Sequence, residues 1–235
     1  MSTSVPQLTP DQLNYAETSQ WKEILSQALP DLRVAIPAII QSFDPVSQTC
    51  TVQIALREVV RTQTGPQNIA IQPINKVPVS LPRAGGLSLT LPLKAGDEGM
   101  LIFCDMCIDL WWSRGGIQNQ FERRRHDLSD AIFIPGPWSQ PRVLSNYSTN
   151  SAQLRTDDDT VILDVAEAGI TLTAPKVSIN TTGDVDITAQ GNVNIQGQQV
   201  VIESMSDDTT IDGSDYLDHK HSGVQSGSSD TGPVT

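Results

Sequence analysis

Short apolar stretches separated by turn residues dominate the chain from Asp31 to about Pro141. Val34–Ile40 is apolar almost throughout and reads as a strand. Phe43-Asp-Pro-Val-Ser47 reads as a turn, and Cys50–Leu56 alternates apolar and polar, so it is expected to pair back as a hairpin. Val77–Leu81 and Leu87–Leu93 are two further candidate strands. The turn Lys94-Ala-Gly-Asp-Glu-Gly99 leads into Met100–Cys104, another apolar strand. Several short strands joined by turns predict a small barrel of the OB-fold type over residues 31–145. Ahead of it, Thr9-Pro10-Asp11-Gln12 has the form of an N-cap, a first-turn proline and a capping-box Gln. Leu13, Ala16, Trp21, Ile24, Leu25 and Ala28 follow roughly on one face before Pro30. Residues 1–30 are therefore expected to form a lead-in helix, packing on its own domain or docking a neighbouring protein.

After Tyr147 the pattern changes. Ile170/Leu172, Val177/Ile179, Val185/Ile187 and Val193/Ile195 are apolar pairs spaced by two, recurring every seven or eight residues with Gly183, Gly191 and Gly197 between them. This is one short strand plus one turn, repeated. Such a strand cannot bury its apolar face alone, and the repeat is too short for one chain to complete a wide β-helical coil. Three chains contributing one strand per level would close a triangular prism, with Val and Ile inward and Thr, Asn, Gln and Asp outward. Residues 146–213 are thus expected to form an intertwined trimeric β-helix; a single-chain solenoid of small coils, or a β-rich linker, is the alternative.

Two of the three histidines, His219 and His221, lie just beyond, in residues 214–235, before a tail rich in Ser, Gly and Thr. In an extended segment, residues i and i+2 project to one side. Two imidazoles are too few for a tight metal site. Around a three-fold axis they become six, an octahedral nitrogen cage that suits several transition metals and disfavours zinc. With no open coordination position, such a site is structural. The plain alternative is two histidines in a loose tail.

Composition narrows the function. The chain has 235 residues, a net charge of −12, 15 Pro and 16 Gly, which suits a turn-rich, β-rich protein. The negative balance argues against nucleic acid and anionic lipid surfaces as partners. Many of the acidic residues follow Tyr147 and read as a solvated outer face. No apolar run reaches the roughly 18 residues of a membrane helix, and no signal peptide is apparent. Three cysteines make no disulfide framework, and Cys104-Asp-Met-Cys107 lacks the second pair that zinc needs, so Cys104 is expected in the core. His126, set among arginines and aspartates, reads as a satisfied structural histidine. Trp111 and Trp112 are the residue type of an interface, but a barrel core is expected to hold at least one of them. No nucleophile elbow, P-loop, dinucleotide fingerprint or metalloprotease helix is present.

Several stretches together resemble one family: Ile40-Gln-Ser-Phe-Asp-Pro45, Val77-Pro-Val79, Gly85-Gly86 with Leu89-Thr-Leu-Pro92, Ala95–Gly99, Ile108-Asp-Leu-Trp-Trp112 with Gly115-Gly116, and Arg123–Asp130 running to Gly136. They are similar to the central-spike proteins of contractile-tailed phage baseplates. The resemblance implies a homotrimer whose OB-fold ends sit on the tail hub. It also implies an apex where a His-x-His element from each chain, here His219 and His221, holds one iron ion (Fe2+) on the axis, although another divalent metal also fits the ligands. The implied function is mechanical: piercing of the host outer membrane as the sheath contracts, by a virion baseplate protein assembled in the host cytoplasm. No enzyme activity is expected. The rivals are a tail polysaccharide depolymerase, disfavoured by minimal strands and few aromatics, and a non-piercing structural baseplate protein.

Overall fold

The computed structural model describes residues 18–26, 32–203, 210–211 and 214–215. The chain divides into two units, Met1–Pro175 and Lys176–Thr235. The first helix, α1, runs over residues 18–26 and exposes Trp21, Ile24 and Leu25, which share one face at helical spacing.

The main element of the first unit is a curled, five-stranded antiparallel half-barrel. Its strands are β1 (Ala35–Asp44), β2 (Thr49–Ile54), β5 (Ile74–Pro78), β8 (Glu98–Phe103) and β9 (Ala131–Pro135), in the order β5-β2-β1-β8-β9. The edge strands meet where the sheet curls round. Val79 forms a parallel bridge with Phe133, and the Ser80 amide donates to the Phe133 carbonyl at 2.9 Å. Alternation decides what is buried: Ala38 and Ile40, Cys50, Val52 and Ile54, Leu101 and Phe103, and Ala131 and Phe133 all point inward, with Val77. Each large side chain buried this way contributes about 1.5–3 kcal/mol.

Two register shifts interrupt the sheet, and both flank Thr51. Ile40 pairs with Val52 but Ser42 pairs with Thr51, so β1 carries one extra residue, Gln41. On the other side, Cys50 pairs with Val77 and Val52 with Ile74, so Asn75 and Lys76 together face Thr51. Lys76, the second residue of this bulge pair, takes a left-handed φ of 57°.

Between β2 and β5 rises a hairpin of β3 (Arg57–Thr62) and β4 (Gly65–Ala70), which contains no buried residue. Its sequence has no clean alternation, so pattern reasoning does not find it. The expected strand Leu87–Leu93 is mostly irregular: only β6 (Arg83–Ala84) and β7 (Leu87–Ser88) pair, as a two-residue ladder. Pro92 lacks the N–H that a longer ladder would need. A six-residue helix, α2 (Asp109–Arg114), precedes β9.

Three more strands complete the first unit: β10 (Ser151–Arg155), β11 (Ile162–Ala166) and β12 (Gly169–Thr173), an antiparallel meander. In the second unit, residues 176–203 form no strand and make no backbone-to-backbone hydrogen bond among the described residues. Their Val/Ile pairs are open to solvent, Ile179 at 73% and Ile187 at 72% exposure. A two-residue ladder, β13 (Thr210–Ile211) with β14 (Ser214–Asp215), follows. The chain is thus mostly β with few helices, as the all-β expectation has it.

Candidate functional site

Two surfaces of the first unit present apolar groups outward. The first is one face of the β10–β12 meander. Leu154 pairs with Leu163 and Leu163 with Leu172, while Ala152 pairs with Val165 and Val165 with Ile170. Directly paired residues share a face, so these six side chains form a continuous apolar ladder, and all six are exposed. The opposite face is the polar one. There Asp164 accepts from Ser151 Oγ at 2.7 Å and from Gln153 Nε2 at 2.5 Å, and these bonds hold its carboxyl below the usual carboxylate range. Sequence alternation in an isolated sheet ordinarily puts the apolar face inside; here that face has no cover from the described residues.

The second surface is the loop from Cys104 to Asp130. It is anchored at Asp130, which is 0% exposed. The Asp130 carboxylate takes a two-point contact from Arg124, Nε at 3.0 Å and Nη2 at 3.1 Å, and also accepts the Ile108 amide at 3.0 Å. Arg124 Nη2 further reaches Asp109 Oδ2 at 2.8 Å and Cys107 Sγ at 3.1 Å, and Nη1 reaches Glu122 at 2.7 Å. This planar fork serves three carboxylates at once, Asp130, Asp109 and Glu122. Hydrogen bonds to Asp130 and Asp109 push the Arg124 guanidinium above its ordinary value, and Arg124 in turn holds Asp109 low. Cys107, Asp109 and Asp130 gather their ligand atoms within 4.8 Å, a spacing a metal could use. Arg124 already brings positive charge to all three, which makes the cluster an ion-pair anchor.

What the anchor presents is α2. None of its residues is buried, and Trp111 and Trp112 are 49% and 45% exposed, their rings 6.4 Å apart. This corrects the expectation that one of them fills the core, which Leu101, Phe103 and Phe133 occupy instead. Ile117 and Phe121, further along the loop, are exposed as well.

The other chemical candidates fall as follows. Cys104 and Cys107 are free thiols, each only half-buried, so Cys104 lies at the core's edge instead of inside it. Burial raises the Cys104 thiol. Cys50 is the core cysteine, its thiol pushed up to about 12. His126 is less satisfied than expected: Nε2 lies 3.4 Å from Asp105, but buried Nδ1 has no hydrogen-bond partner among the described residues. Its backbone is left-handed, φ 48°. His219 and His221 lie outside the described residues. The anchor was missed in the sequence because Cys107, Asp109, Arg124 and Asp130 are scattered over a loop without periodicity; the run Arg123–Arg125 with two nearby aspartates was its one visible trace.

No curated protein matches the chain. Residues 36–136, which hold the half-barrel and the anchored loop, match the family model described as the phage protein Gp138 N-terminal domain. Over that span, under half of its length, the chain is similar to a phage protein.

Proposed function

We propose that the chain is the central spike of a contractile phage tail, a homotrimer that pierces the host outer membrane mechanically. The observation that carries this reading is the exposed apolar ladder of β10–β12, followed in sequence by the exposed Val/Ile pairs from Val177 to Ile195. Apolar side chains in such number and regularity need a cover, and the same repeat from two further copies supplies one of matching period. The phage-domain match supports a virion-associated structural protein. The strand order β5-β2-β1-β8-β9, with a parallel contact between the edge strands, supports the OB-fold reading of the first domain.

In this reading the OB-fold end sits on the tail hub. The prism transmits thrust, and six imidazoles from His219 and His221 hold one iron ion at the apex, so that the strands do not peel where force is applied. No catalysis is involved. Light scattering and elemental analysis on one purified sample test the proposal. A mass near three times 25.5 kDa with one iron per three chains is expected. A monomer at micromolar concentration would overturn the spike. A metal-free trimer would keep the prism and remove the iron apex.

A further inference from the structure

The two bulges that flank Thr51 open onto a cavity of about 640 Å³. Its floor is the outer surface of β1, β2 and β5, and one wall is Trp112 of the anchored helix. A site of this size is in the range of small-molecule clefts, roughly 300–1,000 Å³. The lining is not that of a core defect, because its polar groups have spare capacity. Asn75 accepts from Thr51 through Oδ1 at 3.2 Å, which leaves its Nδ2 donors unused among the described residues. Lys76 Nζ and Trp112 Nε1 likewise have no partner among the described residues. Asp44 takes Val46 N at 3.0 Å and Ser47 Oγ at 2.5 Å, one bond on each oxygen, and keeps lone pairs free.

The backbone is arranged to make this lining. In a regular strand Asn75 and Lys76 would project to opposite sides, and one would enter the core. The bulge sets both against Thr51, and both line the cavity. Bulges re-aim side chains in this way, and a left-handed non-glycine residue such as Lys76 marks a position that its surroundings must hold. On the other side, Arg124 and Asp130 fix the loop that carries Trp112. The site therefore brings an indole together with a row of hydrogen-bonding groups.

That pairing suits a saccharide. A pyranose ring has one face of C–H groups, which packs on the negative face of an indole. Its rim of hydroxyls both donates and accepts, as Asp44, Asn75 and Lys76 require. The geometry points to a saccharide-binding site, for one or two pyranose rings, between Trp112 and the Thr51 bulges. All of its lining residues come from one chain, and it gives that chain a contact with glycan.

The test is saturation-transfer NMR on the full-length protein with three probes: chitotetraose, maltotetraose, and the core oligosaccharide released from lipopolysaccharide. Transfer to the ring protons of at least one probe is expected. Affinity for it should fall by about tenfold or more, the loss of one good contact, in Trp112→Ala and in Asn75→Ala. Trp111→Ala should leave it unchanged, since Trp111 does not line the cavity. Trp112 is half-exposed on a helix with no buried residue, so its removal should leave the fold intact, which circular dichroism checks. No transfer to any probe, wild-type affinity in Trp112→Ala, or an equal loss in Trp111→Ala would each overturn the site.

Discussion

The Phe133 ring lies against the bare Cα of Gly99. A β-carbon placed on Gly99 would sit 2.5 Å from Phe133 Cζ and 2.4 Å from the Ile134 carbonyl oxygen. Gly99 is therefore required by space, inside β8 and paired with Pro135 of β9, and not by an unusual backbone angle. Phe133 is itself the largest fully buried side chain, and its carbonyl accepts the Ser80 amide where the edge strands meet. Gly99→Ala must displace either the ring or the strand. The expected cost is about 3 kcal/mol, the upper part of the range for overpacking, because one neighbour is backbone. Urea unfolding of the mutant should show a lowered midpoint; a loss below 0.5 kcal/mol, on the scale of ordinary surface changes, would contradict the contact.

The anchor of the aromatic loop gives a second expectation. Asp130→Ala removes the buried acceptor of Arg124 and Ile108 together. Breaking a buried pair costs about 3–5 kcal/mol, and partial exposure of Arg124 puts the outcome at the lower end. Arg124→Lys should not rescue the loop, because an ammonium cannot make the two-point contact. Trp fluorescence, to which Trp111 and Trp112 contribute alongside Trp21 and Trp138, should change with either mutation.

These two relationships mark where the sequence is readable. Strands with clean alternation or a solid apolar run, β1, β2 and β8, stand close to where pattern places them, because burial on one side imposes a period of two. β5 (Ile74–Pro78) instead begins ahead of the expected Val77–Leu81 and shares only Val77 and Pro78 with it, because the bulge at Asn75 and Lys76 breaks its alternation. β9 is short and follows a polar loop, so the pattern alone did not call for it, although its contacts with Gly99 close the core. The β3–β4 hairpin buries nothing and leaves no periodic trace. Trp111 and Trp112 suggested core by residue type, yet the Arg124–Asp130 contact, set by loop geometry, holds them outside. The apolar pairs from Ile170 to Ile195 are legible as a repeat from their spacing alone, although residues 176–203 form no strand among the described residues; in the proposed trimer that period would match the neighbouring chains.

Acid should weaken the first unit. Glu98 accepts the Ser139 amide at 2.7 Å and Ser139 Oγ at 3.0 Å, and these bonds, the amide first, hold its carboxyl below the ordinary value. A carboxyl depressed by folding adds stability that is fully present above its unfolded value, near 4.3 for Glu, and that is lost as pH falls through the folded value. Asp44, Asp109 and Asp127 are shifted the same way by their hydrogen bonds. Stability should thus be flat near neutrality and fall below about pH 4.3. In Glu98→Gln the fall should be shallower, because one linked proton is gone. Denaturation midpoints between pH 7 and pH 3 decide it; an identical slope in the mutant would separate Glu98 from the effect.

The apolar ladder can be broken at its centre. Leu163 stands between Leu154 and Leu172. In an isolated chain Leu163→Asp exchanges an exposed apolar group for an exposed charge and should cost little. In the proposed trimer it brings three carboxylates together at an apolar axis, and several kcal/mol per buried, unpaired ion would favour dissociation. Light scattering should then give a mass near 25.5 kDa, with the β1–β9 sheet still folded. An unchanged trimer would mean that this face points to solvent and that the chains associate elsewhere.

The apex makes a separable claim. His219→Ala with His221→Ala removes every imidazole from the proposed cage and leaves the Val/Ile repeat from Val177 to Ile195 untouched. If the repeat holds the chains together and the metal only secures their ends, the double mutant remains a trimer, carries no iron, and becomes cleavable by protease near its C-terminus. Because six ligands act as one site, His221→Ala alone should also abolish most of the metal content: three remaining imidazoles leave half the coordination sphere to water. Iron retained by the double mutant would place the ion elsewhere. Loss of the trimer along with the iron would make the metal, and not the apolar repeat, the element that holds the chains together.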